Sequence, residues 1–370
     1  MPPGALKALR RTLVADLEAA LERGRPRAVD LAPAIAAARD ALRAALPGAA
    51  PPRTAASPVT ASDGLASDGS RIATGADAAP TLVPLCRLDA QLDAALALGF
   101  PEVELDWMEM VGLGRAVARA RAAGVKVTIA TPRVQKPGEE QLDQRIARLA
   151  PDGVLVRHWG GLMYFADGHG RDLPQPPIVH GDFSLNVTNS LTFWRLRGLG
   201  LDTVTASHDL DERQLLGLVA AVDPARLTVV LHHHIPTFHT EHCVYAHTLS
   251  DGADHRTCGR PCEHHAISLQ DPKGRAHPVI VDVFCRNTVF EARAQSAATL
   301  TPRLLAAGVR RFRVELVRES AAETTTVLTA YQDLLAGRST PREVVRRVGV
   351  HEQFGVVRGV ARSARDAAPP

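Results

Sequence analysis

From residue 81 onward, short apolar runs alternate with segments whose apolar residues recur at helical spacing. Eight runs have the length and composition of buried strands: 81–86, 103–107, 125–130, 153–157, 178–182, 203–207, 227–232 and 312–316. The helical segments are 88–98, 113–123, 141–149, 190–199, 212–222, 300–307 and 322–335. The fourth strand is followed by a glycine-rich stretch, 159–172, instead of a clear helix. Strands that alternate with helices over roughly 250 residues predict a (β/α)8 TIM-like barrel of the α/β class, although an open doubly wound sheet gives the same alternation.

The remaining segments divide the chain into four predicted parts. Residues 1–46 have the periodicity of a helical extension that is broken near Pro26. Residues 47–80 are rich in Pro, Ala, Ser, Thr, Gly and Asp without periodicity, which predicts a disordered linker. The barrel then occupies 81–337, with a Cys-rich insertion at 235–285, and residues 338–370 form a capped helix and a polar tail.

Composition limits the class of protein without selecting a function. Of the 370 residues, 45% are hydrophobic, and no apolar run is long enough to span a membrane. The N-terminal residues lack the pattern of a secretory signal, so we expect a cytoplasmic protein whose cysteines are metal ligands rather than disulfides. The formal net charge of +3 is too small to indicate a nucleic-acid partner.

Polar and ionisable residues recur where the predicted strands end, which is the end at which barrels carry their active sites. These residues are Asp106, Arg133, Arg157, His158, His180, Asp182, His208, Asp209, His232, Cys285, Arg286, Asn287 and Glu315. For any one of them, a strand that simply reaches the surface is an equally good explanation.

Four of the five cysteines lie close together in the sequence. Cys243, Cys258 and Cys262 follow the predicted strand 227–232, and Cys285 closes a second predicted strand, 279–285. Clustered thiolates favour zinc or an iron–sulfur cluster, and the paired Cys-x2-Cys motifs of zinc ribbons do not occur. The spacing fits an iron–sulfur cluster better, while four unrelated core cysteines remain the alternative. Cys86 lies apart from the others, within a strand, and we expect it to be a core residue.

Other catalytic motifs are missing from the sequence. There is no His-Glu-x-x-His zinc motif, no Gly-x-Ser-x-Gly elbow and no glycine-rich nucleotide loop. On a strand, His232 and His234 point to one face and His233 to the other, so the three cannot all face one pocket.

Several longer stretches carry a resemblance to a known family. These stretches are 181–186, 234–243, 258–263, 285–290 and 312–316. Together they resemble the collagenase-like peptidase family U32 over about residues 81–337, in particular the C-terminal barrel of its long members. Residues 1–80 then resemble the end of a preceding region, which implies a split or shortened version of the long form.

The resemblance implies a cofactor, a set of site residues and three alternative functions. It makes Cys243, Cys258, Cys262 and Cys285 the ligands of a 4Fe–4S cluster. It also makes Asp182, Asn186, His234, Glu241 and Arg286 candidate catalytic residues around that cluster. The first implied function is oxygen-independent hydroxylation of a tRNA or ribosomal RNA pyrimidine or of a ubiquinone precursor, in some members with prephenate as oxygen donor. The second is a collagenase-like peptidase, and the third is a non-catalytic partner in a heterodimer with a related U32 barrel.

Overall fold

The computed structural model describes residues 3–24, 32–44, 79–107, 110–167, 170, 173–252 and 254–352. Nearly all of the predicted linker, residues 47–80, lies outside these ranges, as do Pro26 and residues 353–370 of the predicted tail. Two helices precede the barrel, α1 (Pro3–Gly24) and α2 (Ala32–Ala44). Within the described ranges, no helix combines the length and the apolar character needed to cross a membrane.

Eight parallel strands close into a barrel. In chain-order numbering they are β1 (Thr81–Cys86), β2 (Glu102–Leu105), β3 (Lys126–Ala130), β4 (Gly153–Val156), β5 (Ile178–Gly181), β6 (Thr203–Thr205), β7 (Leu227–His233) and β13 (Arg311–Glu315). Each strand pairs with the next, and β13 pairs with both β1 and β7. The second pairing leaves the barrel without an edge, so the predicted (β/α)8 fold is confirmed and the open sheet is excluded.

Helices surround the strands. They are α3 (Asp89–Ala97), α4 (Met110–Ala122), α5 (Gln141–Arg148), α6 (Trp159–Leu162), α7 (Ser190–Gly198), α8 (Glu212–Ala221), α10 (Thr301–Ala306), α11 (Ala321–Leu335) and α12 (Pro341–Val348). The irregular fourth repeat contains only the short α6, which continues as a π-helix, Met163–Asp167. The predicted cap of α12 is present, because Thr340 and Glu343 satisfy each other's backbone N–H groups in a capping box.

The apolar core lies between the strands and the helices, whereas the inside of the barrel is largely polar. Along β13, Phe312 and Val314 belong to the core that packs against the helices. The alternating Arg313 contacts Glu104 on β2 at 3.3 Å and Thr205 on β6 at 3.4 Å, across the barrel interior. Because side chains of a strand alternate between two faces, the charged positions of β13 fill the interior and the apolar positions build the outer core.

The chain between β7 and α10 forms a small domain of its own. It contains β8 (Pro236–Thr240), α9 (Val244–Leu249), β9 (Ser268–Gln270), β10 (Ala276–Val281) and β11 (Asn287–Phe290). The strands form an antiparallel sheet in the order β8-β11-β10-β9, with a core of Tyr245, Val279, Val281 and Val289. We call residues 235–291 the insertion. After it, β12 (Gln295–Ser296) pairs with β7 and with β14 (His351–Glu352).

The predicted strand 279–285 is wrong at its C-terminal end. Strand β10 ends at Val281, and the Asp282 carboxylate then accepts the backbone N–H groups of Phe284 at 2.8 Å and of Arg286 at 2.9 Å. Cys285 is left in a turn with a φ of +62°. The short side chain of Asp282 satisfies the backbone of a tight turn, and this local bonding competes with continuation of the strand.

A histidine inside the barrel predicts how stability changes with pH. His180 on β5 is buried and bonds the hydroxyl of Thr203 at 2.8 Å, and burial lowers its pKa to about 4, reinforced by the charge of Arg311. Below pH 6.5 the unfolded chain binds a proton that the folded chain refuses, so stability falls as pH falls from about 6.5 to 4. We expect His180→Gln to remove about 2 kcal/mol of the loss in unfolding free energy between pH 7 and pH 5.

Urea unfolding at the two pH values measures this difference. His255→Gln is the control, because His255 is exposed, and it should keep the pH dependence of the wild type. An unchanged pH dependence in His180→Gln would contradict the interpretation.

Candidate functional site

A closed ring of ion pairs lies at the C-terminal mouth of the barrel. Its successive pairs are Arg87–Asp106 at 2.8 Å, Asp106–Arg157 at 2.9 Å, Arg157–Asp182 at 2.7 Å, Asp182–Arg313, Arg313–Glu315 at 2.8 Å and Glu315–Arg87 at 3.8 Å. We call these six residues the charge ring. Three arginines alternate with three carboxylates, so each carboxylate is shared by two guanidinium groups and the ring has no net charge.

Two carboxylates of the charge ring, Asp106 and Asp182, favour the ionised form although they are largely buried. Burial acts against the ionised form of Asp182, but Arg313 and Arg157 more than offset it and hold the pKa well below its usual range. The pKa of Asp106 is also lowered, because Arg157 and Arg87 outweigh its burial. Below the ring, burial raises the pKa of Glu104 in spite of the nearby Arg313. The mouth therefore presents fixed charges of both signs above a carboxyl that burial biases toward its neutral form.

The insertion covers part of this mouth. The guanidinium of Arg87 lies 5.2 Å from the centre of the Phe290 ring, and Asp282 of the insertion and Asp106 of the ring line one cleft. The pKa of Asp282 is raised to about 6 by burial, with a smaller contribution from the charge of Asp106. The same cleft is small and is also lined by Leu113 of α4 and by Leu142 and Ile146 of α5, so the insertion approaches the barrel beside these helices.

Two of the predicted site residues join the insertion to the barrel. Arg286 is buried and bonds Glu241 at 2.7 Å, Glu139 at 2.6 Å and the carbonyl oxygen of Val134 at 3.1 Å. Glu241 is exposed and also bonds Lys136 at 2.5 Å. The geometry of Arg286 and Glu241 is that of a clamp between the insertion and the loop after β3.

His234 lies at another contact of the insertion with the barrel. Its Nε2 is 3.3 Å from Glu319 and its Nδ1 is 2.7 Å from the carbonyl oxygen of Glu291. Burial disfavours the charged imidazole, yet the bond to Glu319 raises the pKa of His234 above its ordinary value. His232 approaches the same carboxylate at 3.8 Å, while His233 packs on His208 at 4.2 Å between ring centres. The predicted division of the three histidines between two faces is therefore confirmed.

The five predicted catalytic residues do not converge on one point. Asp182 belongs to the charge ring and also accepts the backbone N–H of Phe183 at 2.8 Å. Asn186 ends the short 3-10 helix Phe183–Leu185 with a φ of +57°, and its side chain is exposed. Asparagine tolerates this left-handed conformation better than most residues, which accounts for Asn186 through its backbone.

The four cysteines of the insertion come from four separate turns. Cys243 precedes α9, Cys258 accepts the backbone N–H of Arg260 at 3.4 Å, Cys262 lies in the 3-10 helix Pro261–Glu263, and Cys285 occupies the turn after β10. Burial raises the pKa of Cys285 to about 11, and the charges of the other three thiols add to the increase. The fold thus brings Cys243, Cys258 and Cys262 within electrostatic range of Cys285. Cys86 is fully buried among the apolar residues of the outer core, as expected.

In its described ranges, the structure gives no corresponding indication of a site for a single metal ion. Among the side chains that the structure describes, no three His, Cys, Asp or Glu residues are placed as the ligands of one ion.

The sequence analysis does not identify four of the residues that build the mouth and its surroundings. Arg87, Glu104, Arg313 and Glu319 were not proposed as site residues, although all four take part in the buried ion pairs. A signal was present for two of them. Glu104 alternates with Val103 and Leu105, and Arg313 alternates with Phe312 and Val314. A charged residue at alternate positions of an otherwise apolar strand marks the inside of a barrel.

Comparison with known proteins settles the family. The sequence profile of peptidase family U32 matches residues 105–348, which span the chain from the end of β2 to the end of α12. This chain belongs to peptidase family U32. The match includes the insertion with all four of its cysteines, as the sequence resemblance predicted.

Solved structures are similar to this U32 chain at low identity. The U32 peptidase Mk0906 is 16% identical, with a TM-score of 0.39, over 69% of this chain and 100% of that protein. The thiamine phosphate pyrophosphorylase from Pyrococcus furiosus is 10% identical, with a TM-score of 0.33, over 72% of this chain and 96% of that one. An oxaloacetate acetylhydrolase is 9% identical, with a TM-score of 0.39, over 79% and 94%. A search of curated proteins found no match.

The charge ring predicts an unequal response to two arginine substitutions. Arg313 is fully buried between Asp182, Glu104 and Glu315, so Arg313→Met removes a buried cation that all three of these carboxylates share. We expect this change to lower the free energy of unfolding by about 3–5 kcal/mol. Arg303 pairs with Glu212 at the exposed surface, and Arg303→Met should cost no more than about 1 kcal/mol.

Urea unfolding of the two variants at one pH measures the contrast. Equal, small losses in both would show that the carboxylates of the ring do not depend on Arg313.

Proposed function

We propose that this chain binds a 4Fe–4S cluster on Cys243, Cys258, Cys262 and Cys285 and takes part in oxygen-independent hydroxylation of an RNA pyrimidine or a quinone precursor. One observation carries the proposal: Cys243 and Cys258 stand close enough to Cys262 and Cys285 to add to the effect of burial, which raises the pKa of the latter two thiols. Four thiolates are the usual ligand set of such a cluster, with one thiolate for each iron.

The insertion fits a cluster in two further respects. The small core formed by Tyr245, Val279, Val281 and Val289 packs against Cys243 and Cys262, so the fold of the insertion fixes the positions of the thiols. Two residues at the turns have left-handed backbones, Arg260 with a φ of +55° and Cys285 with a φ of +62°. Non-glycine residues adopt this conformation at a cost, and such strain concentrates at ligand sites.

Hydrogen bonds hold the insertion in a fixed relation to the barrel. Arg318, which follows β13, donates to the Tyr245 hydroxyl at 2.9 Å and to the Val279 carbonyl oxygen at 2.7 Å. Arg286 provides the second attachment, to Glu139 and the Val134 carbonyl oxygen. When bound, a cluster supplies one-electron transfer, and these attachments would keep it at a constant distance from the barrel mouth.

The charge ring would lie beneath a planar substrate bound in the barrel mouth. Its carboxylates and guanidinium groups are paired with one another, so it offers fixed hydrogen-bonding groups. Fixed dipoles of this kind need no reorganisation when charge develops in a substrate. The role of the barrel residues in this proposal is therefore to bind and orient the ring and to surround it with preorganised polar groups.

The family name and that of the relative Mk0906 supply the competing proposal, a peptidase. Peptide hydrolysis needs a nucleophile or an activated water molecule held against a base. Asp106, Asp182 and Glu315 are each bound to two arginines, which disfavours them as bases. We therefore favour the redox proposal over the peptidase.

Metal analysis tests the cofactor. We expect protein purified without oxygen to contain about four irons and four sulfides per chain. Replacing any of Cys243, Cys258, Cys262 and Cys285 by serine should abolish the sulfide content and most of the iron. Cys86→Ser is the matched control, and it should keep the cluster because Cys86 is buried in the outer core. One zinc per chain without sulfide would reject the proposal.

Mass spectrometry of cells grown without oxygen tests the reaction. RNA nucleosides and quinones are compared between cells with and without the gene. We expect one hydroxylated species to disappear on deletion and to return with the wild-type gene but not with Cys258→Ser. Unchanged RNA and quinone profiles, together with cleavage of gelatin that needs no cluster, would establish the peptidase instead.

A further inference from the structure

Arg133 is a cation at the barrel mouth that the charge ring does not include. It lies on the loop after β3, half-buried, with its guanidinium 5.4 Å from the centre of the Phe183 ring. In the parts of the chain that the structure describes, no carboxylate lies within salt-bridge distance of it. Burial and the charge of Arg157 lower the pKa of Arg133, so its surroundings disfavour the charge without supplying a partner.

The acids around Arg133 have other partners. Asp182 exerts an attraction on Arg133, but its oxygens are bound by Arg157 and Arg313. Asp209 attracts Arg133 as well, and its carboxylate accepts a bond from the Ser207 hydroxyl at 3.3 Å. The charge of Arg133 is therefore available to an anion that enters the mouth.

A column of packed rings continues from Arg133 along the mouth. Phe183 packs on His208 with the ring centres 4.1 Å apart and the planes tilted by 37°, and His208 packs on His233 at 4.2 Å with a tilt of 41°. Only 8% of His208 and 5% of His233 is exposed. Within the described residues, Nε2 of His208 and Nδ1 of His233 have no hydrogen-bond partner. Buried polar atoms without partners are uncommon in folded proteins, and each is able to bond a water molecule or a bound group.

Both imidazoles of the column are neutral at physiological pH. Burial lowers the pKa of His208 to about 3, and the charge of Arg133 contributes to the decrease. The pKa of His233 also lies well below its ordinary value, first because of burial and then because of His208. A neutral imidazole can donate one hydrogen bond without adding charge, which suits it to the side of an oxyanion that the guanidinium does not cover.

We propose that Arg133, His208 and His233 form an anion-binding subsite at the barrel mouth, which takes a carboxylate or phosphate group carried by the substrate or co-substrate. This assignment rests on the proposed function and deepens it, because it specifies the charge of the ligand and the residues that bind it. The planar fork of a guanidinium matches two oxygens of either group. Since Arg133 lies outside the charge ring and no carboxylate of the described residues is within salt-bridge distance of it, Arg133 supplies the positive charge that selects an anion.

Isothermal titration calorimetry of the full chain, purified without oxygen, tests the subsite with three probes: benzoate, inorganic phosphate and the uncharged benzamide. We expect the wild type to bind at least one anion and not benzamide. Arg133→Met should weaken anion binding by about tenfold to a hundredfold, and Arg133→Lys should recover part of it. His208→Phe keeps the packing on Phe183 and removes the nitrogens, so it should weaken binding about tenfold.

Arg310→Met is the matched control. Arg310 is also half-buried, but it lies at the opposite end of the barrel, just before β13, and its loss should leave the affinity unchanged. Preference for benzoate would indicate a carboxylate ligand, and preference for phosphate would indicate a phosphate ester. No anion binding by the wild type, or equal binding by Arg133→Met, would overturn the subsite.

Iron and sulfide analysis of the same preparations separates this proposal from the cluster. A full cluster without anion binding would reject the subsite alone. Anion binding that depends on Arg133 in protein without a cluster would support the subsite and reject the redox chemistry.

Discussion

The burial of charge inside the barrel is the constraint on which the rest of this structure depends. Arg313 is 0% exposed and carries a full charge, so it requires carboxylates from other strands at bonding distance. Those carboxylates are buried as well and require further cations, which the chain supplies from Arg157 and Arg87. This requirement is satisfied only when the ion pairs form a closed ring. An unpaired member would leave a buried charge whose desolvation cost nothing offsets. The charge ring thereby fixes the relative positions of β1, β2, β4, β5 and β13 at the mouth.

The barrel mouth determines how the insertion is oriented. The insertion has its own core and its own sheet, so its cysteines are positioned without help from the barrel. What the barrel adds is orientation, through Arg286 and Arg318 at two separate places and through Arg87 against Phe290. The thiols and the polar mouth are thus built independently and joined at a few contacts. Substitutions at those contacts would change the distance between the two parts while leaving each part intact.

Most of the fold, but only part of the barrel mouth, could be predicted from the sequence. The strands and helices could be predicted because alternation and helical spacing are local signals, and the cysteine set could be predicted because its members are close in sequence. Cys285 was misplaced because the turn made by Asp282 depends on one side chain that bonds two backbone N–H groups. His234, Glu241 and Arg286 lie near the cysteines in sequence, but the fold places His234 against Glu319 and the Arg286–Glu241 pair at a separate contact with the barrel. The charge ring joins Arg87 to Glu315, which are far apart in the chain, and such a pairing requires the register of the closed barrel.

Because the charge ring has no net charge, it does not select the charge of the ligand that the barrel mouth binds. The three carboxylates and three arginines of the charge ring cancel at any distance that is large compared with their spacing, so the ring itself favours neither anions nor cations. Selection by charge must then come from groups that lie outside the ring. Arg133 is such a group, held against Phe183 and next to two neutral imidazoles, and its charge acts in a partly buried setting where electrostatic attraction is stronger than in water. In the proposed subsite the ring provides fixed geometry, and the cation beside it provides the attraction for a negatively charged ligand.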